Sequence, residues 1–163
     1  MAKFLEVLTE PHPALRKRST ELSTQEIQSP EIKTLILDLV FTMKKKDGVG
    51  IAAPQAGVSK RVCIVNTNDG PIALINPVIT SASKTMESDE EGCLSLPGLW
   101  GQVLRHKKIK VRALSGKGEK ISFPAEDLFA RIIQHEIDHL DGILFVDKAR
   151  DIRKTEIRKN TKE

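Results

Sequence analysis

Residues 134–142, QHEIDHLDG, contain two histidines four positions apart with a glutamate directly after the first. On an α-helix, His135 and His139 project from one face and can bind one metal ion, with Glu136 beside it as a general base. The alternative is a pair of hydrogen-bonded core histidines with Glu136 turned to solvent. Burying all three side chains without a metal is costly, so the stretch predicts a metal-dependent hydrolase. Such a site takes three protein ligands and keeps a fourth position for water.

The third ligand has to come from outside this stretch. A third histidine six residues after His139, as in the H-E-x-x-H-x-x-G-x-x-H pattern, is excluded because Phe145 stands there. The downstream glutamates, Glu156 and Glu163, lie in a charged tail where a ligand would be poorly anchored. The two remaining histidines, in a proline-rich loop and beside a basic strand, are predicted at the surface: His12 and His106.

The two cysteines are predicted to differ. Cys63 lies in the apolar run RVCIVN, where a small thiol packs well inside a strand. Cys93 lies in EEGCLSLPG, a stretch with turn residues at both ends, which we interpret as a loop. Its thiolate with two imidazoles would form a His₂Cys site with one position left for water. A packed loop cysteine without a metal is the alternative.

Two amphipathic helices are predicted. SPEIKTLILDLVFTMKKKDG has apolar residues at helical spacing, with Ser29 as cap, Pro30 at the first position and Gly48 past the end. The second helix runs from about Ala125 to Leu140. Its interior stripe is predicted to contain Leu128, Ile132, His135 and His139, with Glu136 also facing inward. Its opposite, polar side is predicted to contain Arg131, Gln134, Asp138 and Asp141.

Short β-type runs lie between these helices: RVCIVN, PIALINPVIT, KKIKVRALS and EKISF. GVGIAAPQAG is too rich in glycine and proline for a regular element. Strands without a repeated strand–helix alternation favour an α+β fold with mainly antiparallel sheets around a central metal-binding helix. We predict one catalytic domain over residues 1–147 and a short charged tail over residues 148–163, frayed or weakly helical.

Composition is that of a globular domain. The 163 residues are 39% apolar and 29% charged, and the net charge of +4 permits contact with nucleic acid without implying it. No apolar run approaches the roughly 18 residues of a membrane span. The first residues, MAKFLEVLTEPHPALRKRS, lack a signal-type segment, and two cysteines suit a reducing compartment. We therefore expect a bacterial-type cytoplasmic protein, with an organelle as the alternative and with no membrane or specific DNA partner.

Three stretches in order, GVGIAAPQAG, EGCLSLPG and QHEIDHLDGILFVD, resemble the signature motifs of peptide deformylases. In that family they read G-x-G-Φ-A-A-x-Q, E-G-C-L-S and Q-H-E-x-D-H-L, Φ being aliphatic. HPALRKRS is similar to the family's opening segment, so the resemblance spans nearly the whole chain. It implies a histidine-bearing helix surrounded by β-sheets.

The resemblance also implies roles for individual residues. The metal ligands would be Cys93, His135 and His139, and the general acid/base would be Glu136. The formyl oxygen would be held by the Gln55 amide and the Leu94 N–H. The extended substrate backbone would lie against Val49, Gly50 and Ile51, and the methionine pocket would be lined by Ile132.

The implied reaction is hydrolytic removal of the N-formyl group from the N-terminal methionine of newly synthesised polypeptides, with release of formate. The cofactor would be one divalent metal ion, Fe²⁺ in the working enzyme, with Zn²⁺ or Ni²⁺ also accommodated. The substrates would be N-formylmethionyl nascent peptides, and we expect a monomer. Compared with members that dock on the ribosome through a longer C-terminal helix, the tail is short. We predict that the tail is a solvated charged end and that any contact with the ribosome is weak.

Two residues depart from the family pattern. Ile51 replaces the commoner leucine, and Trp100 stands at a rim position that often carries arginine. Strand packing and substrate contact are both open for Trp100.

Two other function classes remain open on the residues alone. A small metallopeptidase would cleave unformylated peptides, and an RNA-binding structural metal domain would need four protein ligands where only three are found.

Overall fold

A computed structural model describes residues 1–155. Its helices are α1 (Thr24–Ile27), α2 (Pro30–Lys45) and α3 (Asp127–Leu140). Its strands are β1 (Gly50–Ala52), β2 (Val62–Thr67), β3 (Gly70–Ala82), β4 (Met86–Cys93), β5 (Leu96–His106), β6 (Lys108–Leu114), β7 (Lys120–Glu126) and β8 (Arg150–Lys154). Short 3₁₀-helices cover Pro13–Arg16, Ala53–Ala56 and Phe145–Asp147. Across these residues, no helix combines the length and the apolar character needed to cross a bilayer.

The strands form two antiparallel sheets. One has five strands in the order β1-β2-β3-β6-β7, and the other has three in the order β4-β5-β8. Antiparallel neighbours need only short connections, which agrees with the short connections after β2, β4 and β6. The predicted fold class, α+β with antiparallel sheets around a central helix, is confirmed.

The two long helices cover opposite faces of the five-stranded sheet. Alternate residues of β2 point to opposite faces, so Ile64 packs with Leu39 of α2 while Val65 packs with Ile133 of α3. Both faces of β2 are therefore buried, which explains its continuous apolar sequence. Ser29 caps α2 by accepting a hydrogen bond from the Ile32 N–H, as predicted.

Helix α3 is buried on nearly all sides because the three-stranded sheet covers the face that was predicted to be polar. Arg131 and Gln134 are buried, and Gln134 bonds to the backbone of His106 on β5. The predicted polar side is therefore wrong for these two residues. The predicted interior position of Leu128 is also wrong, since this side chain is 63% exposed. The inward positions of His135, Glu136 and His139 are confirmed.

Several segments that the sequence predicted to be irregular form regular secondary structure. GVGIAAPQAG contains strand β1 and the 3₁₀-helix that follows it. Strands β4 and β5 were missed because MESDEEGC is acidic and LPGLWGQVLRH is interrupted by proline and glycine. The frayed or helical tail is wrong for Arg150–Lys154, which pair with β5 as strand β8. Glu156 and the rest of the predicted tail lie outside the described residues.

The turn that ends α3 depends on glycine. Gly142 has φ +75°, and a Cβ there would lie 2.4 Å from the Arg16 carbonyl oxygen. Gly70 also has positive φ, +106°, but a Cβ there would meet nothing within 4 Å. We predict that Gly70→Ala costs about 1 kcal/mol of stability from backbone strain, and that Gly142→Ala costs clearly more because it adds a clash.

Chemical denaturation of both variants measures this difference. Equal losses of stability would mean that the segment around Arg16 moves aside without cost.

Candidate active site

Helix α3 presents two histidines to the same side, four residues apart as the helical repeat requires. The ring centroids of His135 and His139 are 4.9 Å apart. The Sγ atom of Cys93 lies 3.2 Å from Nε2 of His139. One ligand atom from each of the three residues lies within 4.8 Å of the others, which suits a single metal ion.

Cys93 lies at the end of strand β4, not in a loop as the flanking turn residues predicted. A two-residue turn, Leu94 and Ser95, connects β4 to β5, and Cys93 pairs with Leu96 across it. The Ser95 N–H points at the Cys93 sulfur from 3.4 Å. The strand fixes the direction of the thiol, and the Ser95 N–H holds the sulfur in place on the other side.

Glu91 fixes the orientation of His135. Its Oε1 lies 2.9 Å from His135 Nδ1, which leaves Nε2 of that ring as the metal-binding nitrogen. The carboxylate also binds Arg105 at 2.9 Å and 3.0 Å and Arg131 at 2.7 Å. Burial would raise the pKa of Glu91, but the hydrogen bonds from His135 and Arg105 hold it well below its ordinary value. Glu91 therefore stays ionised although it is buried.

The electrostatics of the site fit a cation. Burial opposes a charge on His135, yet its hydrogen bonds to Cys93 and Glu91 raise its pKa to about 10. The surroundings thus stabilise positive charge at this position. Burial and the neighbouring His135 lower the pKa of His139 well below its ordinary value, so His139 is neutral. A ligating imidazole is neutral, so a bound metal ion would replace the proton on His135.

Glu136 lies next to the ligands with an unused acceptor. It is buried, and its Oε2 has no hydrogen-bond partner among the described residues. Burial raises the pKa of Glu136 to about 7. Gly50 makes room for the carboxylate, because a Cβ there would lie 2.5 Å from Glu136 Oε1. A water molecule or a substrate proton is the partner that this oxygen lacks.

Gln55 directs its amide N–H groups at the same place. Its Oε1 accepts a hydrogen bond of 2.9 Å from the Ala52 N–H, which fixes which end of the amide faces the site. Its Nε2 lies 3.1 Å from Ser95 Oγ and 3.6 Å from Cys93 Sγ. The 3₁₀-helix after β1 therefore supplies a hydrogen-bond donor beside the sulfur.

A cavity of about 480 Å³ opens onto these groups. The predicted site residues that line it are Val49, Gly50, Gln55, Cys93, Leu94, Ile132, His135 and Glu136. His139 lies behind the lining, almost fully buried. The Ile51 side chain is buried in the core on the α2 side, so only its backbone could contact a ligand. The structure thus brings together the residues that the motifs connected.

Comparison with known proteins agrees with this geometry. The sequence model of the polypeptide deformylase family matches residues 4–155. The chain belongs to the polypeptide deformylase family. A peptide deformylase of Desulforudis audaxviator is 46% identical over 155 residues, which are 94% of this chain and 98% of that protein. One from Desulfitobacterium hafniense is 50% identical over 133 residues, 82% of this chain and 87% of that protein.

Solved deformylases share the fold. The Met-Ala-Ser-bound crystal structure of the class I type b peptide deformylase from Acinetobacter baumannii superposes with a TM-score of 0.87 and 38% identity, and covers 91% of this chain and 99% of that one. The predicted family is confirmed. Deformylases are metal-dependent, and this chain has a group that could hold the metal ion: Cys93, His135 and His139.

The structure also describes the other residues that the sequence analysis discussed as possible ligands. Cys63 is buried in β2, and burial raises the pKa of its thiol well above the ordinary value. Phe145, at the position of the excluded third histidine, is buried and stacks on His135 with centroids 6.3 Å apart. His12 is exposed as predicted, whereas His106 is half-buried and its Nδ1 lies 2.7 Å from the Ser83 carbonyl oxygen.

Sequence reasoning missed the residues that support the deformylase ligands. Glu91 and Arg105 were not singled out, and Arg131 was placed in solvent. The usable signal was the pair Glu90–Glu91 just before Gly92 and Cys93, because the two side chains of such a pair point to opposite faces of a sheet and one face of the sheet packs on the core. Without strand β4 assigned, that signal could not be used.

We predict that Glu91→Gln weakens metal binding about 10- to 100-fold, since it removes the charge that orients and polarises His135. A competitive chelator titration measures the affinity, and circular dichroism checks folding. The matched control is Glu90→Gln, which alters a half-exposed carboxylate paired with Arg153. Equal affinity in both variants would contradict the role of Glu91.

Proposed function

We propose that the chain removes the formyl group from the N-terminal methionine of newly made polypeptides by hydrolysis and releases formate. The observation that carries this is the grouping of Cys93, His135 and His139 beside Glu136, whose Oε2 has no hydrogen-bond partner within residues 1–155, in a chain that matches the deformylase family over residues 4–155. The chain is thus an enzyme, and its substrates are N-formylmethionyl peptides.

We assign the metal to Cys93, His135 and His139, with Fe²⁺ as the working ion and Zn²⁺ or Ni²⁺ as ions the site also accepts. One thiolate and two imidazoles suit these borderline metals better than Mg²⁺ or Ca²⁺. When bound, the ion supplies an activated water and withdraws electrons from the formyl oxygen.

Glu136 is proposed as the proton carrier. It accepts the proton of the attacking water and returns it to the amine that leaves as the C–N bond breaks. Its support is geometric: the carboxylate lies at the cavity wall, next to His135 in sequence, with Oε2 unpaired in the described structure. Gly50 leaves the carboxylate the space to reach a small substrate.

Charge that develops on the formyl oxygen needs donors that are already in place. We propose the Gln55 amide and the Leu94 N–H for this role. Gln55 is held by the Ala52 N–H and cannot turn without breaking that bond. A donor of this kind is worth about 3 kcal/mol in the transition state.

The substrate is proposed to lie extended along β1. This strand is one edge of the five-stranded sheet, and an extended peptide can pair with a sheet edge. Val49 and Gly50 border the cavity there, and Ile51 would contribute its backbone. Ile132 and Leu128 give the cavity an apolar wall for the methionine side chain. The related Acinetobacter enzyme was solved with Met-Ala-Ser bound.

The remaining assignments are proposals of the same kind. We propose a monomer in a bacterial-type cytosol, where formylated nascent chains are made. We also propose a catalytic domain over residues 1–147 and a basic tail over residues 148–163. The tail begins with strand β8, which adds to the three-stranded sheet of the domain, and it contacts the ribosome weakly at most. The competing metallopeptidase differs in its substrate, because it would cleave Met-Ala-Ser and other unformylated peptides.

We predict that the protein releases formate from formyl-Met-Ala-Ser and leaves Met-Ala-Ser intact. Glu136→Ala and the isosteric Glu136→Gln should lower kcat by several orders of magnitude while the metal content stays the same, because only proton transfer is lost. A coupled formate assay measures kcat, and elemental analysis measures the metal.

The control is Glu126→Ala, which changes an exposed carboxylate at the start of α3. Near-normal turnover of Glu136→Ala would refute the role of Glu136. Cleavage of Met-Ala-Ser by the unmodified protein would refute the deformylase function.

We predict that Cys93→Ser reduces metal content and changes which metal is retained, since an alkoxide is a harder ligand than a thiolate. Cys63→Ala, which removes the other thiol, should keep the metal because Cys63 lies in the core, outside the ligand group. Unchanged metal in Cys93→Ser would make Glu156 the next candidate for the third ligand.

A further inference from the structure

Trp100 stands at the mouth of the cavity. It lies on β5, it is 39% exposed, and it lines the same cavity as Cys93 and Glu136. A large apolar side chain left this exposed at a substrate opening is available for contact with a ligand. It is also the single tryptophan of a chain that has no tyrosine.

The indole is held from two sides. Its six-membered ring lies against the backbone of Gly92, where an added Cβ would come within 2.6 Å of Trp100 Cζ3. Its Nε1 lies 3.2 Å from Thr155 Oγ1 and donates to it. Thr155 is anchored in turn, since its backbone N–H donates to the Gly98 carbonyl at 2.7 Å. The ring is therefore positioned by the residue that follows β8.

Strand β8 also neutralises the nearest charge. Arg153 pairs with Trp100 in the strand register, and its guanidinium forms an ion pair with Glu90. Glu90 lines the cavity beside Trp100. With this carboxylate paired, the part of the mouth formed by β5 presents mainly the apolar indole face.

The position of the ring sets which part of a substrate it meets. Gly92 precedes the proposed ligand Cys93, and consecutive Cα atoms are about 3.8 Å apart, while an extended peptide advances about 3.3–3.6 Å per residue. The indole over Gly92 therefore lies at least one residue's length from the proposed ligand Cys93, at the opening of the cavity. The formyl group is carried by the methionine nitrogen, so every substrate residue beyond the methionine follows it, and we assign the indole to the first two of these residues.

We propose that Trp100, held in place by Thr155 and β8, is a specificity site for apolar side chains in the two residues after the methionine. This inference rests on the proposed deformylase function. Trp100 contacts the substrate, and Thr155 is a positioning residue. The C-terminal strand is accordingly part of the substrate site.

Kinetics on two peptides test the contact. The unmodified protein should prefer formyl-Met-Leu-Leu to formyl-Met-Ser-Ser in kcat/KM, and Trp100→Ala should lower that preference about tenfold, through KM rather than kcat, because the lost contact is apolar and remote from the reacting bond. Leu104→Ala, which alters another exposed apolar residue of β5 outside the cavity lining, should keep the preference. An unchanged preference in Trp100→Ala would overturn the proposal.

Thr155 variants test the positioning. Thr155→Val should weaken the preference and Thr155→Ser should restore it, because only the hydroxyl accepts from the indole N–H. Equal preference in Val and Ser variants would overturn the role of Thr155.

Quenching of tryptophan fluorescence measures peptide binding at Trp100 without catalysis. With one tryptophan, the emission reports on Trp100 alone, and Met-Leu-Leu should shield it from acrylamide more than Met-Ser-Ser does. Equal quenching would overturn the contact. Failure of formate release with selective shielding would instead remove the deformylase function and leave the apolar site standing.

Discussion

The ionised carboxylate of Glu91, buried between β4 and α3, is the interaction on which the site depends. A buried charge is tolerated only when it is paired and hydrogen-bonded, and Glu91 meets both conditions through Arg105, Arg131 and His135. These partners come from β5 and from two turns of α3. The cluster therefore fixes three elements relative to one another and orients one metal-binding imidazole in the same step.

Arg105 extends this cluster to the far side of the ligand helix. Its second guanidinium nitrogen lies 2.5 Å from Asp138, one residue before His139. Lys148 also pairs with Asp138 at 3.0 Å, which ties the segment before β8 to the helix. Positive and negative groups alternate through the cluster, so no single charge is left uncompensated. Glu136 contrasts with it, since its buried Oε2 has no hydrogen-bond partner in the part of the chain that the structure describes.

The sequence alone predicted those parts of the fold and site where residue chemistry and helical or strand periodicity gave the same answer. The helix and the inward positions of His135, Glu136 and His139 could be predicted because helical spacing and metal-ligand chemistry make the same demand. The β2 run and the cap at Ser29 were readable for local reasons of the same kind. Cys93 could be named as a ligand candidate by elimination, but its place at a strand end could not.

What was missed depends on partners distant in sequence. From the sequence, Arg131 and Gln134 look like a solvated helix face. In the structure, both side chains bond to the backbone of β5, and no local sequence pattern predicts that contact. Strand β4 is mostly charged and exposed, so it is a strand because β5 pairs with it, not because its residues favour one. Likewise Arg150–Lys154 look like a loose basic end and become ordered only against β5.

The placement of the cavity between the two sheets separates its chemical part from its selective part. Helix α3, the end of β4 and the segment after β1 supply the groups next to the reacting atoms, and each is fixed by buried hydrogen bonds. The mouth is lined by three exposed residues, Val49, Glu90 and Trp100. A change of the Trp100 side chain removes none of the ion pairs of Glu91, because those pairs are with Arg105, Arg131 and His135. The proposed substrate preference can therefore vary along β5 and β8 while the proposed metal ligands and Glu136 keep their geometry.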